Sequence, residues 1–167
     1  ICYSFIRIEV KMKIEIISHS LLDTQKIAFA IAKNLFKGAV ITLDGDLGAG
    51  KTTFTQSVAL ALGVKEKVNS PTFNILKCYF SGSLPLYHID AYRLEEGTNK
   101  DLGLEEFIEG NGICLIEWPN FISEKIDGNI SLNIEILNKD LNTRIINISS
   151  NNDAYQPLFD KLLGGQK

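Results

Sequence analysis

The stretch Gly45-Asp46-Leu47-Gly48-Ala49-Gly50-Lys51-Thr52 has the spacing G-x-x-x-x-G-K-S/T. Those residue types serve phosphate chemistry. Glycines let backbone N–H groups turn inward toward phosphate oxygens, the lysine reaches the β and γ phosphates, and the following hydroxyl can sit on Mg²⁺. At ordinary composition the pattern arises by chance in on the order of one per cent of chains this long, and its setting makes accident rarer still. Ala39 to Leu43, just before it, is a short apolar run that reads as a buried strand. Lys51 to Leu62 carries Phe54, Val58, Ala61 and Leu62 at helical spacing and stops at Gly63. A strand, a glycine turn and a helix in that order place a positive helix end behind the bound anion. The candidate nucleotide-binding residues are therefore Gly45, Asp46, Gly48, Ala49, Gly50, Lys51, Thr52 and Thr53.

A phosphate loop only binds; hydrolysis also needs a carboxylate near the metal and a group that orients water. Two acids stand at the ends of apolar runs, the rim where ligands bind in open α/β sheets. Glu117 closes Ile113-Cys114-Leu115-Ile116, and Asp90 falls within His88-Ile89-Asp90-Ala91-Tyr92-Arg93. Either could equally be an ordinary acid at a strand end. Thr72, in Ser70-Pro71-Thr72-Phe73, occupies the segment where P-loop switch proteins place a magnesium-sensing threonine; the alternative is a plain proline turn. Trp118, the only tryptophan, either stacks on the nucleotide or packs in the core. His88 reads as a structural residue rather than a ligand.

Some absences narrow the choice. Guanine specificity usually needs N-K-x-D, and both Asn99-Lys100-Asp101-Leu102 and Asn138-Lys139-Asp140-Leu141 put leucine where the aspartate belongs. P-loop kinases carry several arginines over the transferred phosphate. This chain has Arg7, Arg93 and Arg144, and only Arg93 lies near the motifs in sequence. Slow hydrolysis alone, completed by a partner in trans, is the expectation.

The elements that must position these groups can be read from periodicity. Lys13 to Ile17 predicts a first strand. Ser20 and Asp23 resemble a capping box opening a helix to about Phe36, with Leu21, Ala28, Ile31 and Leu35 on one face. Ile75 to Phe80 and Leu86 to Asp90, joined through Ser81-Gly82-Ser83, predict a hairpin. Leu94 to Phe107 predicts a loop and a short helix anchored by Leu102, Leu104 and Phe107. Ile130, Leu132, Ile134 and Ile136 alternate with polar residues before the turn Asn138-Lys139-Asp140 and a strand from Arg144 to Ser149. That pattern is an antiparallel hairpin with one exposed face, so the sheet is expected to be mixed. A terminal helix covers Ala154 to Leu163. The fold class is α/β, a P-loop NTPase-type mixed sheet flanked by helices in one domain.

The bulk numbers agree. At 167 residues with 45% hydrophobic and 22% charged residues, one domain can bury a real core. A net charge of −3 argues against gripping nucleic-acid backbone directly. No apolar stretch reaches the roughly 18 residues needed to span a bilayer. Cys2, Cys78 and Cys114 are far apart and form no CxxC pair, so neither zinc nor a disulfide framework is implied and a reducing cytoplasm fits. The only methionine is Met12. Residues 1–11 are expected to be a dispensable extension, and 12–167 the P-loop ATPase domain.

Taken together, the P-loop with Thr53, Ser70-Pro71-Thr72-Phe73, His88 to Arg93 and Cys114 to Pro119 resemble the TsaE family (formerly YjeE) from about Ser18 to Trp118. The region after Pro119 adds little, and Phe73 stands where the family more often has tyrosine. The resemblance implies a cytoplasmic Mg²⁺-dependent ATPase cycling between ATP and ADP. It would work with the TsaB and TsaD proteins, which attach threonylcarbamoyl to adenosine 37 of tRNAs reading codons that begin with A. The ATP cycle would reset that complex, with tRNA held by the partners. Carried over, Lys51 and the P-loop hold phosphate, Thr52 and Glu117 sit on magnesium, and Asp90 assists the metal or the water. Trp118 lies near the nucleotide, while Ser70, Thr72 and Arg93 belong to the switch. Two other functional classes share these residues: a nucleotide-dependent binding switch without essential turnover, and a P-loop small-molecule kinase.

Overall fold

The structure is a computed structural model describing residues 10–95 and 101–165. Seven strands form one sheet in the order β1-β7-β6-β2-β5-β4-β3. They are β1 (Met12–Ser18), β2 (Val40–Asp44), β3 (Leu76–Tyr79), β4 (Leu86–Asp90), β5 (Ile113–Glu117), β6 (Leu132–Asn138) and β7 (Arg144–Ser150). The central strands β6, β2, β5 and β4 run parallel, and β1, β7 and β3 pair antiparallel at the flanks. The mixed sheet expected from the alternation in 130–136 is present, with β6 buried and exposed at alternate positions. The parallel strands β2 and β5 are buried on both faces, which is why they read as continuous apolar runs.

One sheet face is covered by α1 (Leu21–Ala32), α2 (Lys51–Ala61) and α5 (Gln156–Gly164). Ala28, Ile31, Phe54, Val58, Leu158 and Phe159 from these helices pack with Ile41, Leu43 and Leu115. The other face carries α3 (Glu105–Ile108) and α4 (Ser123–Ile126), which cover Val40, Ile89, Cys114 and Ile116. Burial there pushes the Cys114 thiol up to about 12, so it behaves as a small apolar core residue. Phe54 is fully buried between α2 and the sheet. Phe54→Ala should cost roughly 3–5 kcal/mol, read as a lower urea midpoint with unchanged slope; a loss under about 1 kcal/mol would contradict this packing.

Chain order explains where a ligand crevice opens. From β2 the chain goes to β4 and β5 on one side, then crosses to β6 on the other. That reversal puts the switch point of the sheet at the carboxyl end of β2.

Four local expectations need correction. Helix α1 ends at Ala32, not Phe36. Asn34 Nδ2 bonds the Ala30 carbonyl and the next turns tighten, with Asn34 and Leu35 N–H groups reaching back three residues. Leu21 is exposed rather than on the buried face, although Ser20 does cap the helix through Asp23 N–H at 3.1 Å. The strand expected from Ile75 begins at Leu76, because Ile75 sits at φ 64°, and it stops at Tyr79 before the exposed Phe80. The final helix starts at Gln156 behind a 3-10 turn at Asp153–Tyr155. Residues 1–9 and 96–100 lie outside the described residues. Asn99 and Lys100 of the first N-K-x-D near-match, part of the 94–107 segment and most of the 1–11 extension fall there. Lys11 is described: its N–H bonds Asn151 at 2.8 Å and its ammonium pairs with Asp153 at 2.5 Å.

Candidate functional site

The P-loop leaves β2 through Asp44, whose Oδ1 accepts the Gly45 N–H at 2.8 Å. A Cβ on Gly45 would lie 2.5 Å from the Ile136 carbonyl oxygen, so only glycine passes this close to β6. Gly50 is the N-cap of α2 at φ 105°, with no side-chain cap and no acid in the first turn. The first-turn N–H groups and the positive end of the helix dipole are thus left without an acidic side chain. A Cβ on Gly48 or Gly50 would meet nothing within 4 Å, so open space lies beside both glycines. Thr52 and Thr53 lie half-buried in that first turn.

Lys51 is 5% exposed. Its Nζ donates to the Gly45 carbonyl at 2.5 Å and the Asp46 carbonyl at 2.9 Å, and stands 4.1 Å from the centre of the Trp118 ring. Burial holds its pKa below the ordinary lysine value, opposed by the charges of Glu117, Asp44, Asp90 and Asp46. Desolvation makes this ammonium avid for an anion that restores its charge balance.

The two acids come together. Asp90 and Glu117 are register partners at the ends of neighbouring parallel strands, and Leu43 of β2 pairs with Glu117 on the other side. Register partners share a sheet face, here the one covered by α2. Both carboxylates are buried. Glu117 Oε1 lies 2.8 Å from His88 Nε2 and 3.5 Å from Thr55 Oγ1. Asp90 Oδ2 accepts from Ser70 Oγ at 3.1 Å and Thr72 Oγ1 at 3.2 Å, while its Oδ1 accepts the Tyr92 N–H at 3.0 Å. Ser70 and Thr72 share a further bond at 2.6 Å. The segment ends at Ile75, whose φ of 64° is strained for a β-branched residue.

Trp118 also has positive φ, 56°, directly after Glu117. It is half-buried, with Tyr92 at 5.0 Å and Phe121 at 6.2 Å between ring centres. Core packing, one of its two readings beside stacking on the nucleotide, describes it in part: the ring meets these aromatics and also lies under the Lys51 ammonium. Arg93 lies in an exposed 3-10 turn with its guanidinium 4.5 Å from the ring centre of Phe73, the residue that follows Thr72.

Three residues gain a place that sequence spacing did not give them. His88 Nε2 contacts Glu117 Oε1, and its Nδ1 is buried with no hydrogen-bond partner among the described residues. Thr55 reaches Glu117 one helical turn after Lys51. Arg144, which sequence distance set apart from the motifs, donates from Nε to the Ala49 carbonyl at 3.1 Å. The correction follows from the β6–β7 hairpin folding back beside the P-loop. An i+2 period from Asp90 could have flagged His88; no local signal could have flagged Arg144.

Among the described residues no group of three His, Cys, Asp or Glu could hold a metal by itself. A hydroxyl beside a phosphate loop with one or two carboxylates suits Mg²⁺, which keeps waters and substrate phosphates as ligands. A separate groove of about 290 Å³ opens on the opposite sheet face. Its polar groups bond each other, Thr42 to Asn133 and Asn147 to Glu135, as on a hydrated sheet surface.

Comparison with known proteins covers these elements. A family model described as threonylcarbamoyl adenosine biosynthesis protein TsaE matches residues 18–146, past the Trp118 limit of the motif resemblance and through Arg144. The tRNA threonylcarbamoyladenosine biosynthesis protein TsaE of Bacillus subtilis is 44% identical over 140 residues, covering 84% of this chain and 87% of its own. The protein of the same name from Treponema pallidum is 37% identical over 123 residues, covering 72% and 90%. A crystal structure of Bacillus subtilis YdiB matches with a TM-score of 0.75 and 34% identity over 93% of this chain and 97% of that one.

Proposed function

The chain belongs to the TsaE family, and we propose that it is the Mg²⁺-dependent ATPase subunit of tRNA threonylcarbamoyladenosine synthesis. In this reading it hydrolyses ATP to reset a TsaB–TsaD complex in the cytoplasm, with tRNA held by those partners and residues 12–167 forming the ATPase domain. One observation carries the reading: a buried lysine in a glycine loop faces two carboxylates paired at adjacent strand ends. No helix among the described residues is long and apolar enough to cross a membrane.

Each residue then has a task. The P-loop from Gly45 to Thr53 cradles the phosphates, with Lys51 exchanging its two carbonyl partners for phosphate oxygens. Thr52 and Glu117 would hold magnesium, which when bound neutralises charge on the phosphate oxygens. His88 occupies one oxygen of Glu117 and orients the other. Asp90 assists the metal or positions water, and to do so it must release Ser70 and Thr72. That exchange makes the 70–75 segment the switch, with Ile75 strained at its end. Trp118 screens Lys51 beside the nucleotide.

The test is phosphate release from MgATP, first by this protein alone and then with the TsaB–TsaD pair and tRNA. A slow basal rate that rises sharply with the pair supports the reading, and a rate indifferent to the pair removes the link to its cycle. Arg93→Ala is expected to cut the stimulated rate by about 10- to 100-fold, the worth of one charge-assisted contact, with ATP affinity held within about twofold. Equal losses in rate and affinity would mean that Arg93 only props up Phe73.

A further inference from the structure

Arg144 opens β7, yet among the described residues its guanidinium makes no ion pair. Its hydrogen-bond partners are backbone carbonyls. Nη1 donates to the Asp140 carbonyl at 3.0 Å, Leu141 at 3.3 Å and Thr143 at 3.2 Å, and Nε donates to Ala49 at 3.1 Å. The turn that supplies the first three is itself fixed. The Asp140 carboxylate accepts the N–H groups of Asn142 at 3.0 Å and Thr143 at 2.8 Å, and these bonds hold its pKa below the usual carboxylate range. A rigid turn therefore sets the plane of the guanidinium, and that plane sets where Nε points.

The consequence lies in the peptide between Ala49 and Gly50. A trans peptide unit directs its C=O and its N–H to opposite sides. With the Ala49 C=O held by Arg144, the Gly50 N–H is turned the opposite way, away from the guanidinium. Gly50 has φ 105° and no Cβ to resist rotation, so without a brace this unit is free to flip and present a carbonyl oxygen to an anion. Its own carbonyl is already committed to α2, accepting the Phe54 N–H at 2.9 Å, so the Ala49–Gly50 unit is the part left to be held.

We propose that Arg144 is a positioning residue of the phosphate loop, which fixes the Ala49–Gly50 peptide so that the Gly50 N–H donates to the bound phosphate. This rests on the nucleotide-site reading above. It assigns the β6–β7 hairpin tip a share in phosphate binding from 95 residues away in sequence. It also gives Arg144 a role unlike an arginine on a kinase lid, since its Nε and Nη1 donors are engaged by main-chain carbonyls.

The test uses the ¹⁵N-labelled full chain with MgADP, following the Gly50 amide and the dissociation constant in the same titration. In the unaltered protein the Gly50 amide proton moves downfield as it takes a phosphate oxygen. Arg144→Met keeps the aliphatic stem and removes the donors. It should weaken ADP about tenfold, the worth of one oriented donor to a charged acceptor, and abolish the Gly50 shift while other P-loop amides still respond. Binding within about twofold, with the Gly50 shift intact, overturns the proposal. If Arg144→Met does not fold, Arg144→Lys decides by the same two readouts, because an ammonium cannot hold turn and loop in one plane. Absence of ADP binding by the unaltered protein overturns the nucleotide-site reading and this proposal together, whereas a defect confined to the variant upholds both.

Discussion

Lys51→Ala abolishes tight MgATP binding, weakening it on the order of 10²- to 10³-fold, as expected for the loss of about two charge-assisted bonds to phosphate. The reason is visible in the geometry. The ammonium is buried, held by two P-loop carbonyls, and surrounded by Glu117, Asp44, Asp90 and Asp46, with its pKa pushed down by burial. A polyanion offers that ammonium better partners than two neutral carbonyls. Alanine removes the attraction but leaves the nearby carboxylates, which then repel the phosphates. The protein carries its own reporter, because the single tryptophan sits 4.1 Å from this ammonium. Nucleotide that draws Lys51 away should change Trp118 emission in the unaltered protein and leave it flat in the variant. Unchanged affinity in Lys51→Ala would sink the phosphate-loop assignment.

The second large effect is on turnover. Glu117→Gln should lower phosphate release by about 10²-fold or more, in line with losing one preorganised charge at a metal-assisted centre, while ATP affinity changes by only a few fold. Glutamine is chosen because its amide oxygen can still accept from His88 Nε2. Glu117→Ala would remove the partner of His88 Nε2, a buried imidazole whose Nδ1 has none among the described residues, at a cost of about 1–3 kcal/mol. This variant also separates two functional classes. A protein whose hydrolysis resets a partner complex loses its cellular role with turnover. A binding switch keeps that role in Glu117→Gln, and full complementation by this variant would overturn the ATPase reading. Phosphate transferred to an added metabolite rather than to water would instead favour the kinase.

Much of this molecule was legible in its residues because the signals are local. Glycines at fixed offsets before Lys51 define a loop whatever surrounds them, and alternation in 130–136 requires one wet sheet face. Apolar runs ended by Asp90 and Glu117 place both acids at strand ends, since the period of a strand and the turn that stops it lie within a few residues. The same locality explains the misses. Helix α1 stops early because Asn34 turns back on Ala30, a side-chain choice that the apolar period does not record. Ile75 has the composition of a strand residue, but its own N–H bonds the Pro71 carbonyl and its carbonyl accepts the Asp90 N–H, partners that accompany its positive φ.

What the tertiary structure alone decided is which distant groups meet. A strand pattern says which face is buried but not which strand lies alongside. The sheet order put β5 between β2 and β4, and that made Asp90 and Glu117 partners and brought His88 to 2.8 Å from Glu117. The same order set β6 on the other side of β2, so that the hairpin it begins returns Arg144 to Ala49. The residues chose the chemistry through short-range spacing. Their mutual orientation came from long-range strand pairing, which the burial of a shared core selects and no short window of sequence contains.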